Sequence, residues 1–170
     1  MIVDQPASHF IFGYHSRIYQ GYKYVAYKGK PLTNQEYLDY WGKWLVLGSK
    51  DMHDKLAEKL DPYLEEGLIA CFKYDRKPLE HLGLEECIMY VYCDKRNSEK
   101  VWDILKQYGI KLKAWVPERD TVSMWLPGGR LLEDWIKSEN LSEKEAEKVR
   151  KDSLQKFGAI LDHPHEPFAG

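Results

Sequence analysis

No stretch of this chain approaches the ~20 consecutive apolar residues that a membrane-crossing helix needs. Its first ten residues, which include Asp4 and Pro6, also lack the basic start and apolar centre of a secretory leader. A cytoplasmic protein with no membrane partner is therefore expected. Cysteine is scarce. Cys71, Cys87 and Cys93 are odd in number, show no CxxC spacing and each sit in an apolar run, so they read as buried small hydrophobes of a reducing compartment. His163 and His165 stand beside Glu166 in the tail without a second ligand cluster, so neither a metal site nor a cofactor is expected. Excess charge of one sign is missing too: 25 basic and 27 acidic side chains leave a net charge of -2. That balance argues against wholesale neutralisation of a nucleic-acid backbone and leaves room only for a local basic patch. The chain has no Walker loop, GxGxxG, GxSxG or HExxH, so nucleotide hydrolysis, dinucleotide binding, serine hydrolysis and zinc proteolysis lose their usual signatures.

What the chain has in abundance is aromatic side chains, 14% of its residues, with twelve Tyr and six Trp. Such residues pair a large apolar body with a polar tip and serve cores, interfaces and stacked ligands alike. At 170 residues, one domain is expected to bury roughly 70% of its unfolded surface without staples. Residues 1–40 form an aromatic segment read as short strands, with Tyr22, Tyr24 and Ala26 alternating against Lys23, Val25 and Tyr27. Thr33 and Glu36 make a capping box for a brief helix.

Residues 43–116 read strand, helix, strand, strand, helix, strand. Lys43 to Gly48 is an apolar run; Met52, Leu56 and Leu60 then recur every fourth residue, and the helix meets Asp61-Pro62, where a new turn is expected. Leu68 to Tyr74 and Cys87 to Cys93 can pair antiparallel. Ser98 is expected to cap a helix through Val101, Leu105 and Tyr108 that stops at Gly109, and Ile110 to Val116 alternates as a last strand. The fold class is thus α+β: an antiparallel sheet with a ferredoxin-like βαββαβ order and helices mainly on one face. Residues 117–162 supply a turn and C-terminal helices, the last begun by Ser142 and Glu145, and residues 163–170 read as a loose tail.

Three groups of residues suggest chemistry. Lys73, Arg76 and Lys77 cluster where a strand enters a loop; Arg binds phosphate bidentately, and a Lys beside other cations is driven towards its neutral, basic form. Lys111, Lys113 and Trp115 alternate on one strand face, which suits either a solvated edge or an anion platform. The Pro127-Gly128-Gly129-Arg130 turn precedes a helix start, where backbone N–H groups and Arg130 can hold an anion that Arg119 also reaches, or where the turn is purely structural.

The run Tyr40-Trp41-Gly42-Lys43-Trp44-Leu45-Val46, the helix after it, Glu66-Gly67 leading to Lys73, and Ile88 to Tyr92 resemble two families over residues 40–136. One is the basophilic-leukemia-expressed protein family, similar in fold to the cap-binding translation initiation factor. The other is the phosphothreonine lyases of bacterial effectors and their archaeal counterparts. The lyase resemblance implies β-elimination, with Lys73 as the base that removes the α-proton, an acid that protonates the departing phosphate, and cations that hold it. The family's Lys-x-His on the first strand is Lys43-Trp44-Leu45 here, so His81 is taken as the replacement acid. Lys43, Arg76, Lys77, Arg119 and Arg130 are the expected phosphate ligands, and the expected partner is a phosphorylated peptide or small phosphorylated ligand, bound with or without catalysis. The cap-binding resemblance implies ring stacking on a base, for which Trp41, Trp44, Trp115 and Trp125 are candidates, and makes RNA or a nucleotide the alternative partner. A protein-interaction domain, docking a second protein or a second copy of itself through the aromatic segment, is the third reading.

Overall fold

The computed structural model describes residues 1–80 and 83–169. Its centre is β5 (Trp41–Gly48), whose sequence apart from Lys43 is apolar on both faces and which pairs antiparallel with β7 (Cys87–Asp94) along its whole length. β6 (Cys71–Asp75) joins β7, β2 (Phe10–Tyr14) joins β6, and the two-residue β1 (Ile2–Val3) closes that edge. At the other edge β8 (Trp115–Pro117) pairs with β5, giving a six-stranded antiparallel sheet ordered β1-β2-β6-β7-β5-β8. A separate hairpin, β3 (Ala26–Tyr27) with β4 (Lys30–Pro31), replaces the longer alternating strand expected over 21–28. The alternation there is cut short because Lys28 and Gly29 both take positive φ to make the turn.

One face of the sheet is covered by α2 (Lys50–Glu65) and α3 (Ser98–Gln107). Leu56, Ala57, Leu60 and Leu64 from α2 and Val101 and Leu105 from α3 pack on Trp44, Val46, Phe72, Met89 and Val91 in the main core. α2 runs straight through Pro62 instead of restarting at Asp61. Leu60 and Leu64 flank the proline and are both fully buried, so packing outweighs the lost backbone bond, and the Asp61 carboxylate holds the Met1 amino group at 2.5 Å instead. Ser98 is the first residue of α3 and not its cap; its hydroxyl donates to the Lys95 carbonyl at 2.6 Å. The last strand is shorter than expected, because Ile110 is drawn into the core and the chain reaches β5 only at Ala114, whose carbonyl accepts from Leu45 N–H.

The opposite face is covered at one end only. There α1 (Asn34–Tyr40), α4 (Glu118–Met124) and the C-terminal half of α6 (Glu143–Asp162) pack on Trp41 and Tyr92. The Thr33–Glu36 capping box of α1 forms as expected. α5 (Arg130–Ser138) and α6 form a small satellite core around Leu132, Ile136 and Ala146. The tail, expected to be loose, is bound: Asn34 N–H donates to Glu166 O, Gln35 N–H to Pro164 O, and Phe168 N–H to Leu32 O. Among the described residues no helix is long and apolar enough to cross a membrane.

Two features of the main core are directly testable. Gly13 lies opposite Phe72 in the β2–β6 register, and a Cβ there would overlap the fully buried Phe72 ring. Gly13→Ala is expected to lower stability by about 1–3 kcal/mol in urea titrations, and Gly13→Ala combined with Phe72→Leu to recover part of that loss. His53 is completely buried on α2, and burial holds its pKa below the ordinary value against the opposing pull of the Val46 backbone and Asp54. Its folded pKa lies below its unfolded value of about 6.5, so the unfolded chain binds the extra proton. Thermal stability should hold above that pH and decline as pH falls below it, and His53→Leu should flatten this stretch of the profile.

Candidate functional site

On the half-covered face, alternation along β2 places Phe10, Phe12 and Tyr14 side by side, while β6 contributes Cys71, Lys73 and Asp75 and β7 contributes Tyr90 and Tyr92. Register puts Phe12 and Tyr90 directly on either side of Lys73. The Lys73 ammonium lies 4.3 Å from the Phe10 ring centre and 5.3 Å from that of Tyr90. Among the described residues it has no hydrogen bond and no carboxylate partner. Phe10 and Tyr90 meet edge to face at 6.3 Å, and Phe12 stacks on Tyr14 at 5.5 Å, so the floor around this cation is a continuous aromatic sheet.

A cavity of about 420 Å³ stands on this floor. Its walls are Tyr24 and Val25 from the N-terminal segment, Tyr37 from α1, Trp41 from β5, and Phe168 from the tail. Phe168 stacks flat on Tyr37, 3.8 Å between ring centres and 8° between planes. Glu118 enters at the start of α4, and Lys156 from α6 stands at the lining. A volume of this size and a largely apolar wall with a few convergent polar groups match small-molecule sites in general.

The charges in and behind the cavity are unevenly matched. Lys43 on β5 is 7% exposed; its Nζ lies 2.9 Å from Glu118 Oε1 and donates to Thr121 Oγ1 at 3.1 Å, while the Tyr37 hydroxyl donates to Glu118 Oε2 at 2.9 Å. Glu118 is thus paired with Lys43, while Lys73 and Lys156 make no ion pair among the described residues and Glu118 and Asp75 act on Lys73 only at longer range. Burial, followed by repulsion from Lys43, draws the Lys73 pKa below the ordinary lysine value. The phenols of Tyr24, Tyr90 and Tyr92 are pushed upward, chiefly by burial, and stay protonated as neutral donors. The Cys71 thiol is raised in the same way and is inert; it, Cys87 and Cys93 are all free and buried.

Of the residues singled out from the sequence, Lys43 and Lys73 come together here. Arg76 instead ties the N-terminal loop to the end of β6, pairing with Asp4 and donating to the Ser8 and Gln5 carbonyls, each at 2.8 Å. Lys77 is exposed on the loop beyond. Arg119 joins α4 to α1 through Asp39 at 2.6 Å, and Arg130 is exposed at the start of α5, 3.9 Å from Asp134. Trp44 is 3% exposed and donates its indole N–H to the Ser98 carbonyl at 3.0 Å, which makes it a core residue. Trp115 covers Gly42 and meets Trp44 edge on, and Trp125 packs in the satellite core. None of these three tryptophans lines the cavity. Lys113 pairs with Glu99 at 2.9 Å, and His81 lies outside the described residues. Sequence reasoning missed Phe10, Phe12, Tyr14, Tyr37, Glu118 and Phe168. The period-two pattern of Phe10-Ile11-Phe12-Gly13-Tyr14 could have found the first three, but nothing local marks the others.

No family model, curated protein or solved structure matches this chain. The likeness to either family therefore rests on the short motifs alone.

Structural and ligand-facing charges respond oppositely to removal. Glu118→Ala leaves Lys43 buried without a counter-charge and should cost about 3–5 kcal/mol in chemical denaturation. Lys73→Met removes a desolvated cation that no carboxylate contacts among the described residues and should leave stability unchanged or higher. A clear loss of stability in Lys73→Met would make Lys73 a structural residue.

Proposed function

We propose that the cavity over β2, β6 and β7 recognises a small phosphorylated ligand, whether a phosphorylated side chain or a free molecule, with Lys73 as its counter-charge. The supporting observation is the Lys73 ammonium itself, desolvated among aromatic rings and lacking the carboxylate that Lys43 possesses. An anion entering the cavity relieves that deficit, and the interaction is strong because little water screens it. Lys156 adds a second positive charge to the lining, and the rings of Tyr24, Tyr37 and Phe168 offer apolar area to the ligand's body. Among the cationic candidates from the sequence, Lys43 and Lys73 are the pair that belongs to this site; Arg76 and Arg119 are engaged in holding chain segments together.

The resemblance to phosphothreonine lyases adds a catalytic version of the same reading. The desolvation that lowers the Lys73 pKa favours its neutral amine, the form that takes an α-proton, and in this version Lys156 and not Lys73 faces the phosphate. The nucleotide reading has less support, since Tyr37 is already stacked on Phe168 and, of the candidate tryptophans, Trp41 alone lines the cavity while Trp44 and Trp115 are occupied in packing.

A phosphothreonine peptide titrated into the full chain by calorimetry should bind, while its unphosphorylated counterpart should not. Lys73→Gln should weaken binding at least tenfold, added salt should weaken it further, and Arg130→Gln should leave it unchanged. Failure of the wild-type chain to distinguish the two peptides would remove the phosphoryl reading, and binding of nucleotide alone would replace it. Dehydrobutyrine in the peptide by mass spectrometry, absent with Lys73→Ala, would establish elimination.

A further inference from the structure

The surroundings of Lys73 suit a second chemistry that goes beyond phosphate recognition, although it rests on the same cavity being the ligand site. A lysine becomes a nucleophile when its amine is desolvated in an apolar pocket or set beside another cation. Lys73 has both conditions. Phe12 and Tyr90 flank it in register, Phe10 lies against its ammonium at 4.3 Å, and the Lys43 ammonium lies 5.6 Å from the centre of the same Tyr90 ring. Asp75, two residues along the strand, is occupied in accepting the Ile88 N–H at 3.0 Å, and Glu118 is held by Lys43 and Tyr37. The amine therefore faces an open cavity of about 420 Å³ with no anion tethering it.

We propose that Lys73 is a carbonyl-reactive lysine that forms a Schiff base with a small aldehyde or ketone carrying a flat, apolar body. The nitrogen lone pair adds to the carbonyl carbon as the carbon–oxygen π bond opens. The nitrogen gives up its protons to the oxygen, which leaves as water when the carbon–nitrogen double bond forms. Amine and carbonyl thus yield imine and one water, with no oxidant, reductant or net proton required. The aromatic walls hold the flat body and keep bulk water from the imine, which favours the condensed product. The lowered pKa of Lys73 agrees with this chemistry. An anion bound beside Lys73 opposes it, because the anion holds the nitrogen protonated. The two uses of the cavity are therefore mutually exclusive at any instant.

The test is reductive trapping of the full chain with benzaldehyde and sodium cyanoborohydride near neutral pH, read by peptide mapping. Lys73 should be labelled at least tenfold faster than any other lysine, with the Met1 amino group, held by Asp61, counted apart. The Lys73 rate should level off at a lower pH than the rates of exposed lysines. Lys73→Arg and Lys73→Met, both checked for folding by circular dichroism, should lose this adduct alone. Labelling that follows exposure, with Lys55 ahead of Lys73, overturns the proposal, as does an unchanged pattern in both variants. The phosphothreonine peptide separates this inference from the phosphoryl reading. Labelling of Lys73 that the peptide does not slow keeps the imine-forming lysine and removes the shared site, whereas peptide binding without labelling keeps the phosphate site and removes the imine.

Discussion

Two lysines share one face of this sheet, and of the two only Lys43 has a carboxylate in ion-pair contact among the described residues. Lys43 sits on the central strand, where a charge cannot be buried without a partner, so the start of α4 must bring Glu118 to it. Glu118 in turn fixes Tyr37 through the phenol hydroxyl, and Tyr37 gives α1 its position and Phe168 its stacking surface. The covered end of the face is organised outward from that ion pair. Lys73, one strand beyond β7, makes no ion pair among the described residues; Glu118 and Asp75 act on its charge only at longer range, and rings lie against its ammonium. A cation facing rings gains the quadrupole attraction of their faces, which offsets only part of its lost hydration. The uncompensated remainder is the property that a ligand can use.

The fold was legible where local signals and packing agree. The strand through residues 43–48, the helix with Leu56 and Leu60, the paired strands ending at Tyr74 and Cys93, and the Thr33–Glu36 box all follow from patterns within a few residues. Expectation and structure part where a distant contact overrules a local signal. Pro62 reads as a break, but two buried leucines hold α2 straight across it. The polar, proline-containing tail reads as loose, yet three backbone hydrogen bonds to residues 32–35 and the Phe168 ring bind it. No pattern within the tail announces partners some 130 positions away.

The site was legible in one residue and obscure in the rest. Lys73 stood out because it clusters with Arg76 and Lys77 where a strand enters a loop. Arg76, in the same cluster, drew attention as a bidentate phosphate ligand but faces the N-terminal loop, since three residues along a strand reverse the side-chain direction. The tryptophans misled for a different reason. A large ring is equally suited to a core and to a ligand, and in Trp44 and Trp115 the demands of the core took precedence: one ring fills the space under α3 and the other fills the space that Gly42 leaves. Among the rings that do line the cavity, Phe12, Tyr14 and Tyr37 are less conspicuous residue types, brought together from β2 and α1 by the sheet.

The same desolvation makes Lys73 useful in either protonation state, and this limits what the cavity can do at once. As an ammonium among rings it seeks an anion, and an anion in place raises its proton affinity and preserves the charge. As a free amine it seeks an electrophilic carbon, and bond formation consumes the lone pair that a proton would otherwise occupy. Lys43 tips this balance by repulsion, while Glu118, which raises the Lys73 pKa but pairs with Lys43, restrains it. Any change that frees Glu118 from Lys43 shifts Lys73 towards the charged state, so the structural ion pair and the chemistry of the cavity are coupled although Lys43 does not line it.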